Sequence, residues 1–349
     1  MKTLDLFLII SLLQSLITSD FVKVEAIINN SFSYKEKLGQ ILMINIWPHD
    51  EREKISKLIC SYKIGNFNLI GKYKNEKQIK DWINFIKKES KRCLKLQPFI
   101  AIDEEGYVSR LPFLKSIPQN QLKNEQEAHN EAYRRGKGLK NLGFNMVFAP
   151  VLDFSQNQND YIWPRTFQKN KEMTIKLGKA MIDGFNKVNI ISIPKHLPGY
   201  IDIVSDPHNK ILISKKLNNY KDNLEIFKEI LNNNPWGVMM AHVIIEDIDD
   251  KPITRSKNFI EYLQKELNYK GLFITDSLGM GSFKLRDTFE KAALESLLTG
   301  YDLLILSSNY EVSFRMIQFL NNNLNNLEVM KNIDKSFIKI YFIKNYLLQ

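Results

Sequence analysis

The sequence contains few of the residues that build metal clusters or disulfide frameworks, with 2 cysteines and 5 histidines among 349 residues. Neither Cys60 nor Cys93 has the spacing of a metal site, so both are predicted to be ordinary thiols, with a disulfide left open. No Gly-rich phosphate loop follows an early strand, which disfavours a doubly wound open sheet. Beyond the N-terminus, no segment is long and apolar enough to cross a bilayer. We therefore expect no metal centre and no cofactor.

Acidic residues are in the minority, since the sequence has 39 Asp and Glu but 49 Lys and Arg, which gives a net charge of +10. The lysines are scattered, and no basic cluster is interleaved with aromatic residues. This pattern is typical of solvated faces, so no nucleic-acid partner is predicted. The 44% hydrophobic content suffices for a sizeable core and indicates a globular protein, which we expect to be a monomer.

The N-terminus carries an apolar run from Leu6 to Leu13, which is the length of a signal-peptide core. Residues 1–26 are predicted to be a signal-like segment, with cleavage after Ser19 or Ala26, and residues 27–349 to be one domain. This interpretation implies a periplasmic or secreted protein. The alternative is an uncleaved helix packed on a cytoplasmic protein, and any membrane association is expected only through this segment.

Eight short apolar runs recur along the chain with little alternation of polar residues, as in strands buried on both faces. They are Ile41–Ile46, Ile64–Ile70, Pro98–Asp103, Phe144–Ala149, Ile190–Lys195, Trp236–His242, Gly271–Asp276 and Asp302–Ser307. Helical patterns lie between them, such as the face formed by Ile79, Trp82, Ile83 and Ile86. Ser33 and Glu36 have capping-box spacing, and Gly143 and Gly300 follow expected helix ends.

Polar residues end many of these runs, namely Asp103, Asp153, Lys195, His196, His242 and Asp276. An open sheet concentrates its site at one switch point, whereas a barrel collects residues from the carboxyl ends of many strands. The alternation of strands and helices therefore predicts a single-domain α/β fold of the (β/α)8 TIM-barrel type.

Asp276 ends a buried strand, where a stiff scaffold suits a nucleophile, although an N-cap of the next turn is an equally good reading. In Asp206-Pro207-His208 the aspartate can orient an imidazole that exchanges protons near neutral pH. The alternative there is a turn with a surface histidine.

Further candidates for contacts with a polar substrate are Asp103, Arg165, Lys195, His196 and His242. Lys195 and His196 precede a Pro-Gly turn, which favours a pocket over a core. A histidine satisfied in the core remains the alternative, and Asp153 is either a pocket residue or a helix cap.

Several stretches occur together in one order: Glu36–Met43, Ile102–Gly106, Arg110–Pro112, Phe148–Asp153, Arg165–Phe167, Lys195–Gly199, Asp206–His208, Met240–Val243 and Ile274–Met280. In this order they resemble glycoside hydrolase family 3, and within it the bacterial β-N-acetylglucosaminidases of peptidoglycan recycling. The resemblance covers residues 33 to about 306.

The resemblance implies a retaining hydrolase of β-linked N-acetylglucosamine that acts on a carbohydrate substrate. It gives Asp276 the role of nucleophile, and Asp206 with His208 that of an acid/base dyad. It assigns the grip on the sugar hydroxyls to Asp103, Arg165, Lys195 and His196, and a place in the pocket lining to His242.

The sequence departs from the family pattern at three places. Tyr200-Ile201 stands where the family has His-Gly, the loop at Tyr107 is one residue short, and Pro207 replaces a small hydroxyl residue. Two other functions stay open on the same barrel. One is a metal-dependent hydrolase that uses His196, His208, His242 and Asp276, and the other is a sugar-binding relic without activity.

Overall fold

A computed structural model describes residues 19–203, 216–232, 236–284 and 287–348 as a mixed α/β fold. Within these ranges lie nine strands, namely β1 Leu42–Ile46, β2 Asn66–Leu69, β3 Phe99–Ile102, β4 Met146–Val147, β5 Ile191–Ser192, β6 Lys195–Leu197, β7 Gly237–Met240, β8 Leu272–Thr275 and β9 Leu304–Ile305. Each of the eight predicted runs contains a strand. The fifth run contains β5 and the first residue of β6. The two strands are separate because Pro194 between them has no backbone N–H to donate to a neighbouring strand.

The described helices alternate with the strands, as the sequence predicts. They are Ser19–Asn30, Tyr34–Ile41, Arg52–Tyr62, Glu76–Cys93, Glu125–Leu142, Lys171–Asn186, Lys221–Leu231, Lys257–Leu267, Gly281–Lys284, Phe289–Thr299, Tyr310–Asn322 and Leu327–Leu347. The Ser33–Glu36 capping box forms at the start of the second helix. Gly143 and Gly300 end two others with φ of 104° and 103°, a left-handed conformation that glycine adopts without steric cost.

All strand pairings between these nine strands are parallel, and they fall into three sheets. The orders are β3-β2-β1-β9, β4-β5 and β6-β7-β8. Every residue of β2, β3, β7 and β8 is buried, which is the pattern predicted for strands covered on both faces. Because parallel strands share one direction, their carboxyl ends meet on one side of the molecule, where the candidate residues follow β3, β7 and β8.

The two cysteines form a disulfide, so the prediction of two ordinary thiols is wrong. Cys60 lies in helix Arg52–Tyr62 and Cys93 ends helix Glu76–Cys93, with their Cα atoms 4.9 Å apart. The two helices pack against each other and bring together residues that are 33 positions apart. No local pattern in the sequence marks such a pairing.

The predicted boundary at residue 26 falls inside the first described helix, Ser19–Asn30. This helix packs against the C-terminal helix Leu327–Leu347, and Ile28 joins the core. Whether residues 1–26 are a signal segment stays a prediction. Among the residues that the structure describes, no helix has the length and apolar character needed to span a membrane.

Candidate active site

A cavity of about 320 Å³ opens at the carboxyl ends of the strands. Five of the eight predicted site residues line it, and they are Asp103, Arg165, Lys195, His196 and Asp276. They come from the ends of β3, β6 and β8 and from a short 3-10 helix at Trp163–Arg165. The fold therefore brings residues as far apart in sequence as Asp103 and Asp276 into one wall, as predicted for residues at the carboxyl ends of parallel strands.

The carboxylate of Asp276 is held by hydrogen bonds to both of its oxygens. Its Oδ1 accepts from the backbone N–H of Ser277 at 2.7 Å, and its Oδ2 accepts from the hydroxyl of Tyr200 at 2.9 Å. The backbone N–H of Asp276 donates to the carbonyl of Met240 in β7 at 3.1 Å. These contacts fix the side chain at the cavity wall, where it is partly exposed.

Glu105 is the residue that the sequence argument missed, although it belongs to one of the family-like stretches. It is 1% exposed and accepts two hydrogen bonds from the guanidinium of Arg165, at 2.8 and 2.9 Å. The ammonium of Lys195 lies 2.6 Å from Glu105 and donates to Asp103, also at 2.6 Å. One buried anion thus orients the two cations that were predicted to grip a sugar.

The charges of this network shift one another's pKa. Burial alone would raise the pKa of Glu105, but the adjacent Arg165 and Lys195 outweigh it and hold that pKa well below its usual range. Burial lowers the pKa of Lys195, but the negative charges of Asp103 and Glu105 outweigh this and raise it. Glu105 and Lys195 therefore stay charged near neutral pH.

His196 is oriented by Asp153. This aspartate, for which a pocket residue and a helix cap were the two interpretations, is not among the described residues that line the cavity. Asp153 is fully buried and accepts from the backbone N–H of His196 at 3.0 Å and from its Nδ1 at 2.8 Å. Burial would raise the pKa of Asp153, but its contacts with His196 and the backbone of Tyr200 lower it. The Nδ1 of His196 donates to this carboxylate, so its Nε2 faces Arg165 at 3.4 Å. Asp153 is thus a positioning residue behind the cavity.

His242 lies behind the cavity and is not among the described residues that line it. It is fully buried, with Nε2 donating to the carbonyl of Ser277 at 3.0 Å and Nδ1 2.7 Å from the hydroxyl of Thr254. It meets the site through its backbone N–H, which donates to the hydroxyl of Tyr200. Its predicted contact with a sugar stays a prediction, whereas its contacts here support the cavity wall.

The predicted dyad, Asp206 and His208, lies outside the described residues, which stop at Ile203 and resume at Lys216. The shortened loop at Tyr107 is described, and it is closed by Glu104. The carboxylate of Glu104 accepts from the backbone N–H groups of Arg110 and Leu111, at 2.9 and 3.1 Å. Tyr107 itself is 55% exposed.

In the part of the chain that the structure describes, no three His, Cys, Asp or Glu side chains are arranged to hold a metal ion. His196 and His242, two of the histidines in the metal-dependent alternative, direct ring nitrogens to protein partners. Their geometry gives that alternative no support.

Comparisons with known proteins agree on one family. Residues 33–342 match the glycosyl hydrolase family 3 N-terminal domain. A β-hexosaminidase of Haemophilus influenzae is 27% identical over 286 residues, which cover 78% of this chain and 79% of that protein. A β-hexosaminidase of Photobacterium profundum is 24% identical over 80% of this chain and 85% of that protein.

Solved structures share the fold. A family 3 β-N-acetylglucosaminidase from Paenibacillus sp. aligns with a TM-score of 0.82 and 24% identity, over 91% of this chain and 63% of that chain. A β-N-acetylhexosaminidase from Beutenbergia cavernae aligns with a TM-score of 0.83 and 17% identity, over 90% of this chain and 99% of that one. The family match spans most of the sequence and confirms the resemblance carried by its motifs. The chain belongs to glycosyl hydrolase family 3 and is a glycoside hydrolase.

Proposed function

We propose that this enzyme is a retaining β-N-acetylhexosaminidase that removes β-linked N-acetylglucosamine through a covalent intermediate on Asp276. The observation that carries the proposal is the cavity wall, in which Asp276 lies with Asp103, Arg165, Lys195 and His196. The names of the relatives, which are β-hexosaminidases, support the choice of sugar.

The surroundings of Asp276 suit a nucleophile. Two donors, the N–H of Ser277 and the hydroxyl of Tyr200, favour the ionised carboxylate, which is the form that attacks carbon. A fixed carboxylate also reduces the entropy lost on reaching the anomeric carbon. Oδ1 of Asp276 accepts from the N–H of the next residue, Ser277, and Oδ2 from the cavity-lining Tyr200, whereas a helix cap accepts from an N–H two or three residues further on. These contacts favour the nucleophile over the cap.

The general acid/base of the proposal is His208, which Asp206 orients. The last described residue before them, Ile203, accepts from the backbone N–H of Tyr161 at 2.7 Å, and Tyr161 lines the cavity. Asp206 is three residues further on, and an extended chain covers about 3.3–3.6 Å per residue. The start of this segment is thus within reach of the cavity, which supports the assignment.

The reaction then runs in two steps with retention of the β configuration. In the first, His208 gives a proton to the leaving oxygen as the glycosidic bond breaks and Asp276 bonds to the anomeric carbon. In the second, His208 takes a proton from water, which attacks the same carbon and releases Asp276. Two carboxylates are usual in retaining enzymes. The imidazolium of His208 becomes a neutral imidazole when it gives up its proton, so no second anion forms beside the developing cation.

The sugar is held by the charged network. Asp103 is 21% exposed and can accept hydroxyl hydrogen bonds, while Lys195 and Arg165 supply donors from the same wall. His196, whose Nδ1 donates to Asp153, offers Nε2 as an acceptor. A volume of about 320 Å³ is at the small end of ligand pockets and supports release of one terminal sugar at a time. Fragments of peptidoglycan are the proposed source of that sugar.

The proposed scaffold is one closed (β/α)8 barrel, of which the three sheets are arcs. Backbone hydrogen bonds at the sheet edges support closure. The N–H of Phe148 donates to Ile102 at 3.0 Å between β4 and β3, and the N–H of Thr275 donates to Leu303 at 3.0 Å beside β8 and β9. β5 and β6 follow each other with Ile193 and Pro194 between them.

Export to the periplasm or medium is the proposed location, and the alternative is the cytoplasm. The disulfide between Cys60 and Cys93 supports export, because disulfides persist in oxidising compartments and are rare in the cytosol. The apolar run from Leu6 to Leu13 points the same way.

The test is to trap the intermediate with a 5-fluorinated N-acetylglucosaminyl fluoride and to map the labelled peptide. We expect the label on Asp276 in the wild type, and no label or turnover in Asp276→Ala. A label on another residue, or turnover by Asp276→Ala, contradicts the mechanism. Failure of the pure wild type to hydrolyse any aryl β-N-acetylglucosaminide while still binding the sugar would instead support the relic.

A further inference from the structure

Tyr200 occupies a buried position between the strand ends that carry His196 and Asp276. It is 1% exposed and follows Gly199, whose φ of 133° lies in the region that favours glycine. The backbone N–H of Tyr200 donates to Oδ1 of Asp153 at 2.6 Å. Since the same aspartate holds His196, one carboxylate fixes both the histidine and the tyrosine.

The direction of the hydrogen bonds at the Tyr200 hydroxyl follows from its partners. The backbone N–H of His242 can only donate, and it lies 2.9 Å from the phenol oxygen. The phenol oxygen therefore accepts from His242, and its single proton is directed to Oδ2 of Asp276, also at 2.9 Å. A tyrosine that is rigid at its backbone and at its oxygen thus presents a donor to the carboxylate.

The titratable groups around Tyr200 are Asp153, His196, His242 and Asp276. Burial, and next the negative charge of Asp276, raise the pKa of Tyr200 well above its ordinary value. The phenol is therefore protonated at neutral and acid pH, so it remains a donor over the acid limb of a pH profile.

From this geometry we propose that Tyr200 is a positioning residue for the nucleophile, holding Oδ2 of Asp276 and stabilising the carboxylate when it leaves the sugar. The inference rests on the proposed function of Asp276. In hydrolysis of the intermediate, the bond from the anomeric carbon to Asp276 breaks and negative charge returns to the carboxylate. A fixed donor stabilises that developing charge in the transition state.

The first test is Tyr200→Phe, which removes only the hydroxyl. We expect kcat on an activated aryl β-N-acetylglucosaminide to fall by about 10- to 100-fold, the range for loss of one hydrogen bond to a charged group. KM should fall with kcat, because the intermediate accumulates when its hydrolysis becomes the slow step. The acid limb of kcat/KM should move to higher pH, because Asp276 loses a donor that favours its ionised form.

Tyr301→Phe is the matched control. Tyr301 is also fully buried, and its hydroxyl donates to the carbonyl of Ile253 at 3.0 Å, away from the cavity lining. Tyr200→Phe loses two buried hydrogen bonds of its phenol oxygen and Tyr301→Phe loses one, so both variants should lose stability in urea unfolding. Only Tyr200→Phe should change kcat, KM and the acid limb.

A second variant keeps the site's shape in case Tyr200→Phe does not fold. Incorporation of 3,5-difluorotyrosine at position 200 strengthens the donor, so the acid limb should move to lower pH. Unchanged kinetics in either folded variant, with the trapping label still on Asp276, overturn the role of Tyr200 but leave the proposed function intact. A label elsewhere in the wild type overturns both.

Discussion

Replacing Glu105 with glutamine removes the one anion that lies between Arg165 and Lys195. Its carboxylate is 2.8 Å from the guanidinium and 2.6 Å from the ammonium, and the Glu105 and Lys195 side chains are almost fully buried. Glu105→Gln preserves the size of the side chain but removes the negative charge between the two cations, which keep the charges of Asp103 and Asp153 nearby. We expect a loss of both stability and sugar binding.

The magnitude follows from the distances and the burial. At an effective dielectric constant of about 20, each of these two contacts corresponds to about 6 kcal/mol of Coulomb attraction. Desolvation of the buried ions cancels much of that gain. Removing one partner of such a pair costs about 3–5 kcal/mol, because the remaining charge is buried without compensation. Glutamine keeps one carbonyl acceptor, so we expect the lower end, about 3 kcal/mol.

The loss of unfolding free energy caused by Glu105→Gln should become smaller at acid pH. The pKa of Glu105 is lower in the folded state than in the unfolded chain, where it is about 4.3. Its contribution is therefore fully present above about pH 5 and is lost as the pH falls below 4.3 towards the folded pKa. The difference in unfolding free energy between wild type and Glu105→Gln should narrow over that acid range.

The assay is urea unfolding of both proteins between about pH 2.5 and 8, which includes the acid range in which the difference should narrow, together with KM for an aryl β-N-acetylglucosaminide. Glu76→Gln is the control, because Glu76 forms an exposed ion pair with Lys80 at 3.3 Å and its loss should cost under about 1 kcal/mol. KM should rise in Glu105→Gln, since Arg165 loses its bidentate partner, and stay unchanged in the control. Equal losses of stability in the two variants would refute the reasoning about burial.

Three further outcomes are expected. Replacing both Cys60 and Cys93 by serine should lower the free energy of unfolding by about 3–4 kcal/mol, which is the loop-closure value for a separation of 33 residues. An unchanged urea midpoint would show that the disulfide contributes nothing to stability. Asp153→Asn should reduce kcat/KM by about 10- to 100-fold, because an amide has one acceptor oxygen and cannot accept both at Oδ2, where His196 donates twice, and at Oδ1, where the N–H of Tyr200 donates. Wild-type kinetics in the folded variant would remove Asp153 from the site. His208→Ala should slow aryl glycosides with poor leaving groups most, and equal slowing across a leaving-group series would contradict its role as the acid.

The positions of most elements could be predicted from the sequence, because they depend on near neighbours. The apolar run that became β8 predicted a strand covered on both faces, and its residues are all buried. The capping box at Ser33 and the glycine that ends a helix at Gly143 are local hydrogen-bonding and steric effects, and both are present. Asp276 and Asp103 were candidates since carboxyl ends of parallel strands meet on one side.

The contacts that give those residues their chemistry were decided only by the tertiary structure. Glu105 meets Arg165 across 60 positions, and the hydroxyl of Tyr200 meets Asp276 across 76. A pattern of apolar residues states which positions are buried, but not which distant side chain lies within 3 Å of another. For the same reason His242, which ends a strand run as Asp276 does, turned out to lie behind the wall. Side-chain direction and distance belong to the packed fold, because they depend on how neighbouring elements are placed against each other.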